Sequence, residues 1–408
     1  MAAEFDVIVW GASGFTGRLV AEYIAENYGI GRELRWAIAG RQKEKLEALR
    51  TTLVGNGEVN SLPILIADSS NRKSLDELVR QTKVICTTVG PYALYGTTLV
   101  EACVESGTDY CDLTGEVQWM HRIIESQEDK AKETGARIVH TCGFDSIPSD
   151  LGTYFAQEKM MEQQHVYAKK VTARMGRSSG SASGGTIASL LNVLDEAKKD
   201  PSIRRVMGDP YSLCHPSSIR GKDGSDQSTF KYDTTFSQWT SPFVMATING
   251  RVVRRSNALL KYRWGEDFQY DEAQLCKSLS KAIFATAAMG IGIGLVSFAP
   301  TRNLIEKRLP KPGEGPDEAA RIRGFFEMFI HASHPTDVKK DLRAKVTGDR
   351  DPGYGSTSKM LAESAICLAL DEKQSGGGIW TPSSALGSLL IDRLIKNAGL
   401  NFELVPID

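Results

Sequence analysis

The chain has 408 residues, enough for two domains with at least one large core. With 49 basic against 50 acidic residues its formal net charge is -1, which removes the electrostatic case for a nucleic-acid partner. Seven cysteines, at 86, 103, 111, 142, 214, 276 and 367, form no C-x-x-C pair, and several sit in strand-like runs such as KVICTTV, so reduced, buried thiols of a cytoplasmic protein are expected.

The opening MAAEFDVIVW enters a strand at once, with no basic n-region or cleavage site, and predicts no secretory signal. Further strands are predicted at Leu34 to Ala39, Leu62 to Ala67, Val84 to Val89, Tyr110 to Leu113 and Arg137 to Cys142. Between them lie amphipathic stretches such as RLVAEYIAENY and SLDELVRQ. This alternation predicts an α/β fold, a doubly wound parallel sheet over residues 1–147.

The first turn of that unit reads GASGFTG directly after a strand and before a helix. Glycine is needed at 11 and 14 because a side chain there would keep the backbone from turning tightly and approaching a pyrophosphate. Gly11, Ser13, Gly14, Phe15, Thr16 and Gly17 therefore form the predicted cradle of a Rossmann-like dinucleotide site, with amides at the positive end of a helix. At the end of the second strand an NAD enzyme would carry an acid, whereas this chain has Gly40 and Arg41, with Lys45 one turn on. A guanidinium forks onto a 2′-phosphate, so NADP(H) is the expected cofactor. Asp68 suits either the adenine amino group or a helix N-cap. Ligands of such sheets lie beyond the carboxyl ends of the strands. That rule puts Gly90, Pro91 and Tyr92 beside the nicotinamide, with Tyr95, Asp112, Thr114 and Glu116 on the same rim, while Asp145 or Ser146 after the sixth strand suits a cap of the helix into the second domain.

After Pro148 the texture changes. A Gly/Ser stretch runs into an amphipathic helix expected from near Thr186, and residues 200–231 read as a long surface excursion. TFSQWTSPFVMATINGRVVRRSNAL and LKYRWGEDFQY read as strands of a second, mixed sheet, which puts Arg251, Arg254 and Arg255 on a strand edge, in solvent or clamping an anionic carrier group. EAARIRGFFEMFI and KMLAESAICLAL read as helices after the breakers KPGEGPDE and DPGYGS.

Phe284 to Pro300 is apolar or small throughout, short of the roughly 20 residues of a spanning helix. It reads first as a buried core helix. The rival reading is a surface that dips into a bilayer or lines a lipid channel, with Arg302, Lys307, Arg308 and Lys311 meeting anionic headgroups.

None of the 12 tyrosines has a lysine four residues on, which argues against the usual short-chain ketoreductase mechanism. No metal site is expected: His331 and His334 read as a helix end beside Pro335.

Taken in order, WGASGFTGR, AGR at 39–41, TTVGPY, YCDLTGE, CGFDSIPSD, SGGTIASLL, DPGYGSTSKMLAES and GGGIWTPSSALGSLLIDRL resemble the saccharopine dehydrogenase-like oxidoreductases, in particular the branch with the trans-acting enoyl reductases. The resemblance implies a second, α+β substrate domain with a mixed sheet over residues 148–350 and C-terminal helices, 351–408, returning toward the Rossmann domain. It also implies hydride transfer from NADPH to the conjugated C=C bond of a lipid-like or polyketide-like, carrier-bound substrate. Tyr92, Asp112 and Asp145 are the catalytic candidates, with a proton reaching the α-carbon from Tyr92 or from water. The alternatives are an NADP-binding redox sensor without turnover, an imine or carbonyl reductase of the saccharopine type, and a lipid-surface scaffold. Peripheral membrane contact and a homodimer complete the expected partners.

Overall fold

The computed structural model describes residues 3–31, 34–55, 61–180, 184–215, 218–297, 300–302, 315–371 and 375–407. Lys307, Arg308, Lys311, the start of KPGEGPDE, and Phe298 and Ala299 of the apolar run lie outside the described residues.

The first third builds strands β1 (Phe5–Trp10), β2 (Trp36–Gly40), β3 (Ile64–Ile66), β4 (Thr82–Thr87), β5 (Asp109–Cys111) and β6 (Arg137–Val139). Helices α1 (Phe15–Tyr28), α2 (Lys43–Val54), α3 (Arg72–Val79), α4 (Tyr92–Tyr95), α5 (Thr97–Ser106) and α6 (Val117–Thr134) alternate with them. The order 6-5-4-1-2-3 is parallel throughout, and the chain reverses direction across the sheet between β1 and β4. Every residue of β1 is buried, as a central parallel strand covered on both faces must be. At its base Asp6 binds Arg35 at 2.8 Å and Lys83 at 2.9 Å, tying β1 to the start of β4 and the approach to β2.

Helix α7 (Ile147–Gln164) then carries the chain to a second sheet. It contains β7 (Lys170–Ser179), β8 (Lys231–Asp233), β9 (Gln238–Ser241), β10 (Gln269–Cys276), β11 (Phe325–Ser333) and β12 (Leu342–Gly348). The helices of this part are α8 (Gly184–Lys199), α9 (Pro201–Gly208), α10 (Ala246–Leu259), α11 (Leu279–Ser297) and α12 (Glu318–Arg323). The tail supplies α13 (Thr357–Leu370), β13 (Gly378–Trp380), α14 (Pro382–Ala385), α15 (Gly387–Asn397) and β14 (Leu400–Val405). It does more than cover the first domain. β13 becomes the outer strand of the parallel sheet beside β6, and β14 becomes the outer strand of the mixed sheet beside β12. Helix α13 packs on β1, β4, β5 and α1, and its fully buried Glu363 accepts the hydroxyls of Tyr23 and Tyr28 at 2.6 Å each.

Four elements differ from the sequence reading. LKYRWGEDFQY is turn and irregular chain up to Phe268, with only its last two residues in β10. ATINGRVVRRSNAL is helix α10, not strand, because its arginines are drawn inward by Asp223 and Asp226 of a distant loop and Glu128 of α6. EAARIRGFFEMFI splits at Gly324 into α12 and β11, so His331 lies on a strand and holds Asp341 at 3.0 Å. The expected core helix is also corrected: α11 is outside, with Phe284 75% exposed and Ile291 61% exposed.

Candidate functional site

The glycine turn is built by two different demands. Gly11 has φ +84°, and a Cβ there would lie 2.5 Å from Val89 Cγ2; one on Gly17 would lie 2.2 Å from the Gly11 carbonyl oxygen. Those two positions are closed by the protein's own packing. Gly14 is different: its backbone is extended, and a Cβ would meet only the Gly11 oxygen, at 3.2 Å. As N-cap of α1 it has no side chain to satisfy the first-turn amides. An exposed helix N-terminus with an open glycine above it fits a pyrophosphate. Ser13 is exposed, while Phe15 and Thr16 are half-buried.

Arg41 and Lys45 are exposed beyond β2, placed for a 2′-phosphate. Asp68 accepts from the Ser70 amide at 2.8 Å and its hydroxyl at 2.7 Å, and these bonds, helped by the charge of Arg41, hold it below the usual carboxylate range. Its side chain thus closes a local turn.

At the switch between β1 and β4, Gly90 is exposed and Pro91 half-buried, joined by a cis peptide. Tyr92 does not face the rim: it is 3% exposed, stacks on Trp119, donates to the Thr87 carbonyl at 3.2 Å and accepts from the Leu113 amide at 3.4 Å. Burial, then the charge of Asp112, pushes its hydroxyl well above its ordinary value. Asp112 is also interior. It accepts from Tyr110 at 2.9 Å, His140 Nδ1 at 2.8 Å and the amides of Thr114 and Thr141 at 3.1 and 3.2 Å. Both side chains pin the strand ends from below.

Asp145 is the exception among the three candidates. It is half-buried in the turn after β6, and burial, followed by the nearby charge of Asp112, pushes it up to about 7. Gly115 and Gly143 flank it: a Cβ on either would lie 3.4 or 3.3 Å from its carboxylate oxygens. Beside it, Glu116 caps α4 by accepting from the amides of Tyr92 at 2.8 Å and Ala93 at 3.0 Å, and accepts Ser189 of α8 at 2.9 Å. Burial raises Glu116 too, against the pull of those amides. Leu94 and Tyr95, 58% and 46% exposed, give the adjoining surface an apolar face.

Sequence reasoning treated DPGYGS as a breaker, but it belongs to the site. Asp351 accepts from the amides of Tyr354 and Gly355, and the turn presents Tyr354 edge-on to Phe15 at 4.9 Å. Arg321 lies over the same Phe15 ring at 5.6 Å, and Thr357 accepts from the Phe144 amide at 3.0 Å. DPGYGST thus touches both the glycine turn, at Phe15, and the CGFDS turn, at Phe144. All three stretches carry the family resemblance, yet nothing local in them says that they meet.

The arginines of α10 pair away from these turns. Arg251 pairs with Asp226, Arg254 with Asp223 and Arg255 with Glu128, all three guanidinia buried, so neither solvent exposure nor a carrier clamp describes them. Among the described residues no group of His, Cys, Asp and Glu could hold a metal ion.

The model of a family described as "Saccharopine dehydrogenase NADP binding domain" matches residues 7–173. A Mycobacterium tuberculosis protein that carries the name trans-acting enoyl reductase as a provisional assignment is 38% identical over 415 residues, covering 98% of this chain and 97% of that one. A trans-acting enoyl reductase of Mycobacterium bovis is 36% identical over 408 residues, covering 96% of each. The chain belongs to the saccharopine dehydrogenase-like oxidoreductases, in the trans-acting enoyl reductase branch. Its fold is that of saccharopine dehydrogenase (L-Glu forming) from Saccharomyces cerevisiae, with a TM-score of 0.54 at 12% identity over 98% of this chain and 99% of that one. As a saccharopine dehydrogenase-like oxidoreductase it is an NADP-dependent enzyme, and the open face at Gly14 and the cations at 41 and 45 fit that cofactor.

Proposed function

We propose that this enzyme reduces the conjugated C=C bond of a lipid-like or polyketide-like acyl substrate held on a carrier, in the cytoplasm. The observation that carries the reading is Asp145, a half-buried carboxyl pushed up to about 7 in the turn after β6. The relatives named as trans-acting enoyl reductases support the reaction class. The apolar face of Leu94 and Tyr95 supports a hydrocarbon substrate rather than a small zwitterion.

Gly11 to Gly17 and the α1 amides would hold the pyrophosphate, Arg41 and Lys45 the 2′-phosphate, and Gly90 and Pro91 would border the nicotinamide. NADPH when bound supplies the hydride that reaches the substrate's β-carbon. Asp145, protonated at one carboxyl oxygen, delivers the balancing proton to the α-carbon, a task that favours an acid titrating near the working pH. Tyr92 and Asp112, enclosed by their own hydrogen bonds, position the turns that carry Gly90 and Asp145. The Glu116–Ser189 bond holds α8 over the opening and limits access of water.

The test is deuteride tracing with C4-deuterated NADPH and acyl substrates. A product carrying one deuterium at the β-carbon is expected from the parent. Asp145→Asn lowers kcat by about 100-fold with KM little changed and flattens the fall in rate above pH 7. Arg41→Asp weakens NADPH binding at least tenfold while sparing NADH. Intact NADPH binding with no labelled product would turn the reading toward a sensor; a full rate in Asp145→Asn would remove Asp145 as the acid.

A further inference from the structure

Helix α11 stands apart from the rest of the molecule. Over Leu279–Val296 its mean hydropathy is 1.7, yet 6% of that window is buried. From Lys281 to Val296 Ala282 alone is fully covered, and Cβ atoms placed on Gly290, Gly292 and Gly294 would meet nothing within 4 Å. Soluble proteins seldom leave so large an apolar surface in water. A second copy of the chain would cover one side of this helix and leave the other wet, whereas a hydrocarbon medium covers the sides together.

Topology decides how the helix meets such a medium. β10, just before α11, and β11, after it, lie on either side of β7 in one sheet. One crossing of a bilayer would deliver β11 to the wrong side, and between Arg302 and Phe325 the sequence holds no second apolar run to bring it back. Arg302, just past the helix, is instead paired with Asp195 of α8, which keeps that end at the protein surface. The helix therefore lies along an interface.

Its edges suit a headgroup layer. Lys277 and Lys281 are exposed at its start, and no ionisable side chain follows from Ala282 to Thr301. Thr286 donates back to the Ala282 carbonyl at 2.8 Å, so this hydroxyl is satisfied without water. The first turns pack on β9, whose Trp239 sits 5.4 Å from Tyr232 and 6.3 Å from Phe230, with Tyr232 52% exposed. Tryptophan and tyrosine favour the level of the headgroups.

We propose that α11 is an interfacial anchor: it lies in the headgroup–acyl boundary of a bilayer containing anionic lipid, with Lys277 and Lys281 at the phosphates. Through Asp195–Arg302 the anchored helix fixes α8, whose Ser189 holds Glu116, so an acyl substrate reaches the site from the lipid side. This second part rests on the function proposed above.

The test is flotation of the full chain with vesicles of phosphatidylcholine alone or mixed with phosphatidylglycerol, with NADPH fluorescence titration of each variant in parallel. The parent floats, at least tenfold more with the anionic mixture. Phe284→Glu with Ile291→Glu abolishes flotation, and Lys277→Glu with Lys281→Glu abolishes the preference for anionic lipid. Because these side chains are exposed, NADPH binding stays at the parental value and reports an intact fold. A parent that stays below the vesicles while binding NADPH overturns the anchor and leaves the reductase reading standing. Flotation without NADPH binding does the reverse. Flotation unchanged by Phe284→Glu with Ile291→Glu removes α11 as its agent, and a non-floating dimer that this variant splits assigns the helix to a second copy.

Discussion

Gly11 and Gly14 are three residues apart in one turn, yet they are glycines for different reasons. At Gly11 both the positive φ and the 2.5 Å approach to Val89 forbid a side chain. Gly11→Ala should therefore cost about 2–3 kcal/mol of stability. At Gly14 an ordinary extended backbone accepts alanine, and the added methyl projects into the space left for the pyrophosphate. Gly14→Ala should leave the unfolding midpoint nearly unchanged and raise the NADPH Kd about tenfold or more. Denaturant melts paired with NADPH titrations check both, and the reverse pattern would mean that the open face is not the phosphate site. The triplet itself was legible because a strand–turn–helix junction is local; which glycine serves the ligand depends on Val89 and Thr88, residues far along the chain.

Helix α10 shows how an element is decided from outside itself. Its Arg255 donates to the Leu213 and Ile379 carbonyls at 2.6 Å each and to Glu128 at 2.5 Å, joining α6, β13 and the loop after α9. Replacing it by methionine keeps the stem but strands a nearly buried carboxylate and two carbonyls. Arg255→Met should destabilise the protein by about 3 kcal/mol, and Glu128→Gln in the same chain should recover part of the loss. A double-mutant cycle on unfolding free energies measures this; additive losses would show that the pair is not coupled. The sequence favoured a strand because Val252 and Val253 are β-branched and the run before them is rich in β-branched and aromatic residues. In the structure α10 is buried on nearly every side, its charges matched by acids no local pattern reveals.

At the scale of the whole molecule, buried acids give stability a pH dependence. Burial is the main cause that pushes Asp145 and Glu272 up to about 7 and Asp150 up to about 6. Asp150, between Ser256 of α10 and Ser383 of α14, and Glu272, between Tyr270, Asn249 and Ser149, sit at junctions of segments distant in sequence. Such acids bind protons more tightly when folded than when unfolded. Their favourable share is complete below about pH 4 and is lost as pH rises through 6 to 7. The unfolding free energy should fall by several kcal/mol, up to about 7, between pH 5 and pH 8, and Asp145→Asn should remove part of that slope. Asp6 works at the other end: burial raises it, but Arg35 and Lys83 outweigh burial and hold it at about 2, so its share is lost only in strong acid. Denaturation curves across this range check the sign; stability flat from pH 5 to 8 would show that the three acids stay solvated.

The sequence by itself determined the parallel sheet, the glycine turn, the cations at 41 and 45 and the family, because each is written in contiguous residues whose chemistry needs no distant partner. Tertiary structure alone decided that Tyr92 and Asp112 are interior while Asp145 is half-buried, since exposure at a strand end depends on what the neighbouring strands bring alongside. It alone placed DPGYGS against Phe15 and drew β13 and β14 into separate sheets, contacts made across hundreds of residues. It also reversed the reading of Phe284 to Pro300. Hydropathy reports how poorly a segment tolerates water, and only packing shows whether the protein itself or an external apolar phase relieves that cost.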